Sequence, residues 1–149
     1  MLRLYQRIAV LQLLTFSLLP VGGCNSDGDQ ELSRAFGAMA SKENETVVKM
    51  ADATTFPWER LHIFGPYTTA ETVEKELGFS WWRSDAIEMY DHFGLLVFVR
   101  EGKVVRFVIH SRGNGDLAEC HRRGGFSPTD AIFRCQKDPQ GVSRCQTAG

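Results

Sequence analysis

The sequence has few of the residues from which a metal centre or a catalytic nucleophile is built. Four cysteines occur among 149 residues without a C-x2-C pair, and the four histidines are scattered without an H-E-x-x-H pattern. Structural zinc sites and helical metalloprotease sites depend on such spacings, which argues against both. A G-x-S-x-G elbow and a G-x4-G-K-[ST] phosphate loop are also absent from the sequence. We therefore predict no cofactor, no metal and no enzyme activity.

The sequence also lacks an apolar run long enough to cross a bilayer. The most apolar stretch, residues 8–19, is about a dozen residues long, whereas a membrane-spanning helix needs roughly 20. This stretch follows Arg3 and Arg7 and ends in small residues before Cys24. A charged start, a short apolar run and small residues before a cleavage point are typical of a secretory signal peptide. We predict that residues 1–23 are removed, rather than kept as a transmembrane anchor.

The V-G-G-C sequence that ends at Cys24 resembles the lipobox of bacterial lipoproteins. This resemblance implies that the Cys24 thiol carries a diacylglycerol and that its freed amine becomes the mature N-terminus. The lipid would hold the protein on a membrane of the bacterial cell envelope. Asn25, rather than aspartate, after the cysteine implies the outer membrane, with the domain facing the periplasm. The polar residues 24–30 are predicted to be a short tether.

Residues 31–149 are predicted to form a single domain, since the chain without residues 1–23 is too short for two cores. Its 15 basic and 18 acidic residues give a formal charge of −3, which provides no indication of nucleic-acid binding. The charge is uneven, at −7 over residues 24–99 and +4 over residues 100–149. The second half therefore presents a basic surface, unless folding interleaves the two halves.

Two helices are predicted from local signals. Apolar residues at helical spacing, including Leu32 and Phe36, predict a helix over residues 31–42. A second helix is indicated by a capping box, in which Thr68 accepts from the free helix N–H groups and Glu71 reaches back. Gly78 is placed to end this helix.

A β-hairpin is predicted around the turn pair Glu101-Gly102, with opposite residues summing to 203. One predicted face carries Leu96, Phe98, Val105, Phe107 and Ile109, and the other Leu95, Val97, Val99, Val104 and Val108. Because both faces are apolar, we expect both to be covered. Arg106 is the exception, and it is either a salt-bridged structural residue or a recognition residue.

A second hairpin is predicted at the C-terminus. Residues 138–141 suit a three-residue loop with a left-handed glycine, which pairs positions summing to 280. That register sets Cys135 opposite Cys145, close to disulfide range, in a compartment where disulfides persist. Cys120 is then either free or the true partner of one of them. With short strands at residues 46–50 and 61–64, the sequence predicts an α+β fold, in which two helices pack on an antiparallel sheet.

Residues 58–68 read W-E-R-L-H-I-F-G-P-Y-T, and they are followed by the short helix and the L-L-V-F-V strand. Together with R-G-N-G-D at residues 112–116, this pattern resembles a family of small uncharacterised bacterial lipoproteins and secreted proteins, from which it departs at Glu59. The resemblance covers roughly residues 46–116 and implies no activity. More distantly, the capped helix and hairpin are similar to barrel-assembly lipoproteins and to the β-lactamase-inhibitor-like fold.

The predicted binding residues are arginines of the basic second half and two adjacent tryptophans, of which one is expected to face solvent if the other packs in the core. They are Arg100, Arg106, Arg112, Arg122, Arg123, Trp81 and Trp82. The leading hypothesis is a non-catalytic binding or accessory protein of the envelope, with an envelope protein as partner. The alternative is an immunity or inhibitor protein that neutralises a secreted toxin or hydrolase. A hydrolytic triad of Ser111, Asp116 and His121 is a third, weaker hypothesis.

Overall fold

The computed structural model describes residues 29–149, in which three helices accompany two antiparallel sheets of three strands each. The helices are α1 (Gln30–Ala40), α2 (Met50–Ala53) and α3 (Ala70–Leu77), and the strands are β1 (Glu45–Lys49), β2 (Arg60–Phe64), β3 (Phe93–Arg100), β4 (Lys103–Ser111), β5 (Ile132–Lys137) and β6 (Ser143–Thr147). The predicted α+β class and C-terminal hairpin are confirmed. The single predicted sheet is in fact two, with strand orders β2-β3-β4 and β1-β5-β6.

Both predicted helices form, and the second is capped by a residue other than the predicted one. Asp29 caps α1 by accepting from the Leu32 N–H at 2.9 Å, and the helix begins at Gln30, one residue before the predicted start at residue 31. The capping box at Thr68 is wrong, because Thr69 accepts from the Thr72 N–H while the Thr68 hydroxyl donates to the Gly65 carbonyl. The helix does end at Gly78, in a left-handed conformation with φ of 80°.

The β3–β4 hairpin turns at Glu101 and Gly102, but its predicted register holds only next to the turn. Val99 lies opposite Val104, whereas Phe98 lies opposite Arg106, so Val105 is an extra residue in a β-bulge. From the bulge onward, opposite residues sum to 204. A shift of one residue moves every later side chain to the other face, which makes the predicted face assignment of β4 wrong beyond Val105.

Both faces of the first sheet are covered, as predicted. One face, with Leu96, Phe98 and Val108, packs in the main core with α1 and the second sheet. The other face packs in a smaller core with α3 and residues 81–87, and it includes Leu95, Val97, Val99, Val104, Phe107 and Ile109. Because of the bulge, Phe107 and Ile109 belong to the smaller core.

The second sheet contains the disulfide. β5 and β6 pair with the predicted register, in which Cys135 lies opposite Cys145, and a disulfide joins these two residues. Gly141 takes the expected left-handed conformation, and its N–H donates to the Asp138 carbonyl at 2.9 Å. Cys120 is free and buried.

Candidate binding surface

Arg112, a predicted recognition residue, forms its hydrogen bonds within the protein. Its Nε and Nη2 donate to the two oxygens of Asp116 at 3.0 and 2.7 Å, and its Nη1 donates to the Asp91 carbonyl at 3.0 Å. Hydrogen bonding to Asp116 raises the pKa of Arg112 above its ordinary value. Burial pushes the pKa of Asp116 upward, but hydrogen bonds from Arg112 and the Ala118 N–H outweigh it and leave that pKa below its usual value.

The same carboxylate also holds the C-terminal hairpin. Arg144 Nη1 donates to Asp116 Oδ2 at 3.0 Å, and Arg144 Nε donates to Asp138 Oδ2 at 3.0 Å. Arg112, Asp116, Arg144 and Asp138 thus form an alternating ion-pair network between the end of β4 and β6. With both Asp116 oxygens occupied, no hydrogen bond within residues 29–149 joins Ser111, Asp116 and His121, so the structure does not assemble the hypothetical triad.

A buried polar cluster lies between α1 and the end of β4, and the sequence patterns did not reveal it. His110 Nε2 faces the Gly115 carbonyl at 2.8 Å and its Nδ1 faces the Ser33 hydroxyl at 3.0 Å. A carbonyl only accepts, so Nε2 carries the proton and Ser33 donates to Nδ1. Ser33 also accepts from the Asn114 side chain. Burial lowers the pKa of His110, and since both Ser33 and His110 are enclosed, the pair supports the fold rather than a reaction.

Trp81 and Trp82 are separated as the sequence analysis expected. Trp81 is buried, and its ring packs edge-on against Phe107 at 5.2 Å, whereas Trp82 is 73% exposed. The segment is a run of tight turns instead of a strand, and the Trp81 N–H donates to Glu74 of α3 at 3.0 Å.

Trp82, Met89 and Tyr90 are exposed apolar side chains of the turn segment 82–90, and these three residues are here called the aromatic face. Met89 and Tyr90 are 82% and 52% exposed, and they line one depression with Arg83. The Arg83 guanidinium lies over the Trp82 ring at 5.6 Å and over the Phe107 ring at 5.9 Å. Its buried Nε has no hydrogen-bond partner among residues 29–149. Met89 and Tyr90 were not identified from the sequence, because their exposure depends on how the turns pack on the sheet.

A second surface is the basic loop, defined as residues 121–125. This loop leads into Phe126, which pairs with the outer edge of β2 by exchanging backbone hydrogen bonds of 2.8 and 2.9 Å with Leu61. Arg122 pairs with Asp130 at 3.1 Å and lies over the Phe126 ring. Arg123 is exposed, and with Lys75, Glu76 and Gly124 it lines a shallow depression beside α3.

His62 lies against the basic loop, next to Gly125, and His121 is part of the loop. The His62 ring stacks on Phe64 at 6.2 Å, and Phe64 also lies 6.5 Å from the His121 ring. Burial lowers the pKa of His62, Glu76 opposes this shift, and the charges of Arg60 and His121 add to it. The charges around His62 are therefore mixed, with the Glu76 carboxylate opposed by Arg60 and His121.

The remaining predicted arginines are not in the basic loop. Arg106 lies over the Phe56 ring at 4.8 Å and approaches Asp29 at 3.8 Å, while Arg100 lies 3.8 Å from Glu101. Of the predicted arginines, the structure brings together only Arg122 and Arg123.

No protein-family model matches the chain, and no curated protein or solved structure matches it either. Within residues 29–149, every helix is too short or too polar to cross a bilayer. In that same part of the chain, no three histidine, cysteine or carboxylate side chains are grouped to hold a metal ion.

Proposed function

We propose that the protein is a lipid-anchored, non-catalytic binding module of the bacterial envelope, and that its basic loop captures an acidic group of a partner protein. The observation that carries this proposal is Arg123, an exposed guanidinium that has no ion-pair partner among residues 29–149. Lys75 lines the same depression. Glu76 is the third charged side chain of this depression, so the two cations leave it with a net positive charge, which favours a carboxylate-bearing partner.

The rigidity of the basic loop supports recognition. Gly124 and Gly125 have φ angles of 76° and 70°, and a Cβ on Gly125 would lie 2.7 Å from the Leu61 carbonyl oxygen. The loop therefore lies close against β2, at two positions that only glycine occupies without strain. An arginine on a fixed loop loses little conformational entropy when its planar fork binds a carboxylate.

The anchor is the second part of the proposal. Cys24 lies outside the described residues, and the lipobox resemblance supports its lipidation and attachment to the outer membrane, facing the periplasm. Cys24→Ala should abolish palmitate labelling and leave the protein unprocessed or released from the membrane fraction. Unchanged labelling of this variant would refute the anchor.

Capture is tested with the full chain, by cross-linking and pull-down from envelope extracts. Arg122→Ala with Arg123→Ala should weaken capture in a salt-dependent way, with a stability change of about 0.5 kcal/mol per site or less. The matched control is Arg34→Ala with Arg134→Ala, which removes the same charge from exposed positions elsewhere. Equal capture by both double variants would refute recognition by the basic loop. If the captured partner is a secreted toxin or hydrolase, the module is an immunity or inhibitor protein.

A further inference from the structure

The start of the described chain lies along the exposed edge of β4. The Asp29 N–H donates to the Phe107 carbonyl at 2.8 Å, and the Gln30 side chain donates to the Ile109 carbonyl at 3.1 Å. β4 is an edge strand of the first sheet, and β2, with the basic loop, is the opposite edge. The N-terminus therefore leaves the domain on the side away from the basic loop.

The aromatic face lies on the same side as this N-terminus. The Phe107 ring packs edge-on against the Trp82 ring at 6.2 Å, while the Phe107 carbonyl holds Asp29. Asp29 is the fifth residue after Cys24, and a fully extended chain over these five steps spans at most about 18 Å. A lipid on Cys24 therefore keeps the membrane surface close to Asp29, and so close to Trp82, which contacts the same residue, Phe107.

The chemistry of the aromatic face suits a lipid–water interface. Tryptophan and tyrosine have an apolar ring with a polar atom, and they concentrate at the headgroup level of membranes. Met89 adds a flexible apolar side chain that is 82% exposed. The Arg83 guanidinium, which lies over the Trp82 ring at 5.6 Å, adds a cationic group next to this ring.

We propose that the aromatic face rests on the membrane that holds Cys24, with Trp82, Met89 and Tyr90 at the headgroup level. This proposal rests on the lipid anchor of the proposed function. Asp85 and Asp91 are exposed on the same segment, so insertion of apolar side chains, rather than attraction to anionic lipid, drives the contact. The membrane contact leaves the basic loop at the far edge of the sheet, where it faces the periplasm.

The test uses the lipidated protein, purified from membranes and reconstituted into zwitterionic phosphatidylcholine vesicles with brominated acyl chains. Bromine quenches tryptophan fluorescence only at short range, and of the three tryptophans Trp58 and Trp81 are buried in the domain while Trp82 is exposed. The wild type should lose emission relative to vesicles without bromine, and Trp82→Phe should show no such loss. Trp82 is also expected to be shielded from aqueous acrylamide in vesicles and accessible in the delipidated chain.

The controls separate this proposal from the anchor. Palmitate labelling and flotation with the vesicles report the anchor in the same preparation. A labelled, floating protein whose Trp82 is unquenched by bromine and open to acrylamide would overturn the membrane contact and leave the anchor intact. A protein that neither labels nor floats would refute the anchor and, with it, this inference. Equal bromine quenching of the wild type and Trp82→Phe would also overturn the proposal, since the signal would then come from the buried tryptophans.

Discussion

Asp116→Ala should destabilise the fold strongly. The Asp116 side chain is only 7% exposed, and it accepts from Arg112, Arg144 and the Ala118 N–H. Removing one member of a buried ion pair commonly costs about 3–5 kcal/mol, because the remaining charge is left uncompensated. Here the two guanidinium groups are 36% and 58% exposed, so water compensates part of the loss.

The remaining partners reduce the expected loss further. After truncation, Arg112 keeps its bond to the Asp91 carbonyl, and Arg144 keeps Asp138. We expect the free energy of unfolding to fall by about 2–3 kcal/mol. A domain of this size loses roughly 4 °C of Tm per kcal/mol, which predicts a decrease of about 8–12 °C.

Urea unfolding of the oxidised protein, followed by tryptophan fluorescence, measures this loss directly. The control is Glu45→Ala, which removes an ion pair with Arg134 whose side chains are 59% and 63% exposed and 3.8 Å apart. Such surface pairs contribute at most about 1 kcal/mol. If Asp116→Ala shifted the urea midpoint no more than Glu45→Ala, the ion-pair network would contribute no more to stability than an exposed surface pair.

Three further predictions concern the cysteines and histidines. Replacing Cys135 and Cys145 with alanine should lower the free energy of unfolding by about 2–3 kcal/mol, because the disulfide closes a short loop; an unchanged urea midpoint would contradict this. Burial raises the pKa of the Cys120 thiol to about 12, so iodoacetamide at pH 8 should label it only after unfolding, and rapid labelling of the native protein would show that it is accessible. Since burial lowers the pKa values of His62 and His110 below 6.5, the unfolded state binds more protons below pH 6.5. Stability should therefore be complete above pH 6.5 and fall as the pH drops toward the native pKa values, and equal urea midpoints at pH 7.5 and 5.5 would refute this.

The sequence by itself determined those elements whose signals lie close together in the chain. The helical periodicity of α1, the glycine that ends α3 and the turn pairs of both hairpins act over a few residues, and the structure confirms them. Cys135 and Cys145 are set opposite each other by a loop of three residues, so their pairing also followed from local turn geometry. The predicted position in the cell rests on a short N-terminal pattern as well, and the lipid anchor remains a prediction from it.

Only the tertiary structure decided which surface each side chain occupies. The bulge at Val105 transfers Phe107 to the smaller core, and a single unpaired residue of this kind leaves no mark in the hydrophobic pattern. Arg112 was expected at the surface, but its partners also include Asp91, which is 21 residues away in the chain. The exposure of Met89, and the lack of an ion-pair partner for Arg123 among residues 29–149, depend in the same way on contacts between distant segments. Such contacts arise only when the sheets and loops pack together, which is why the sequence predicted the elements well and the binding surface poorly.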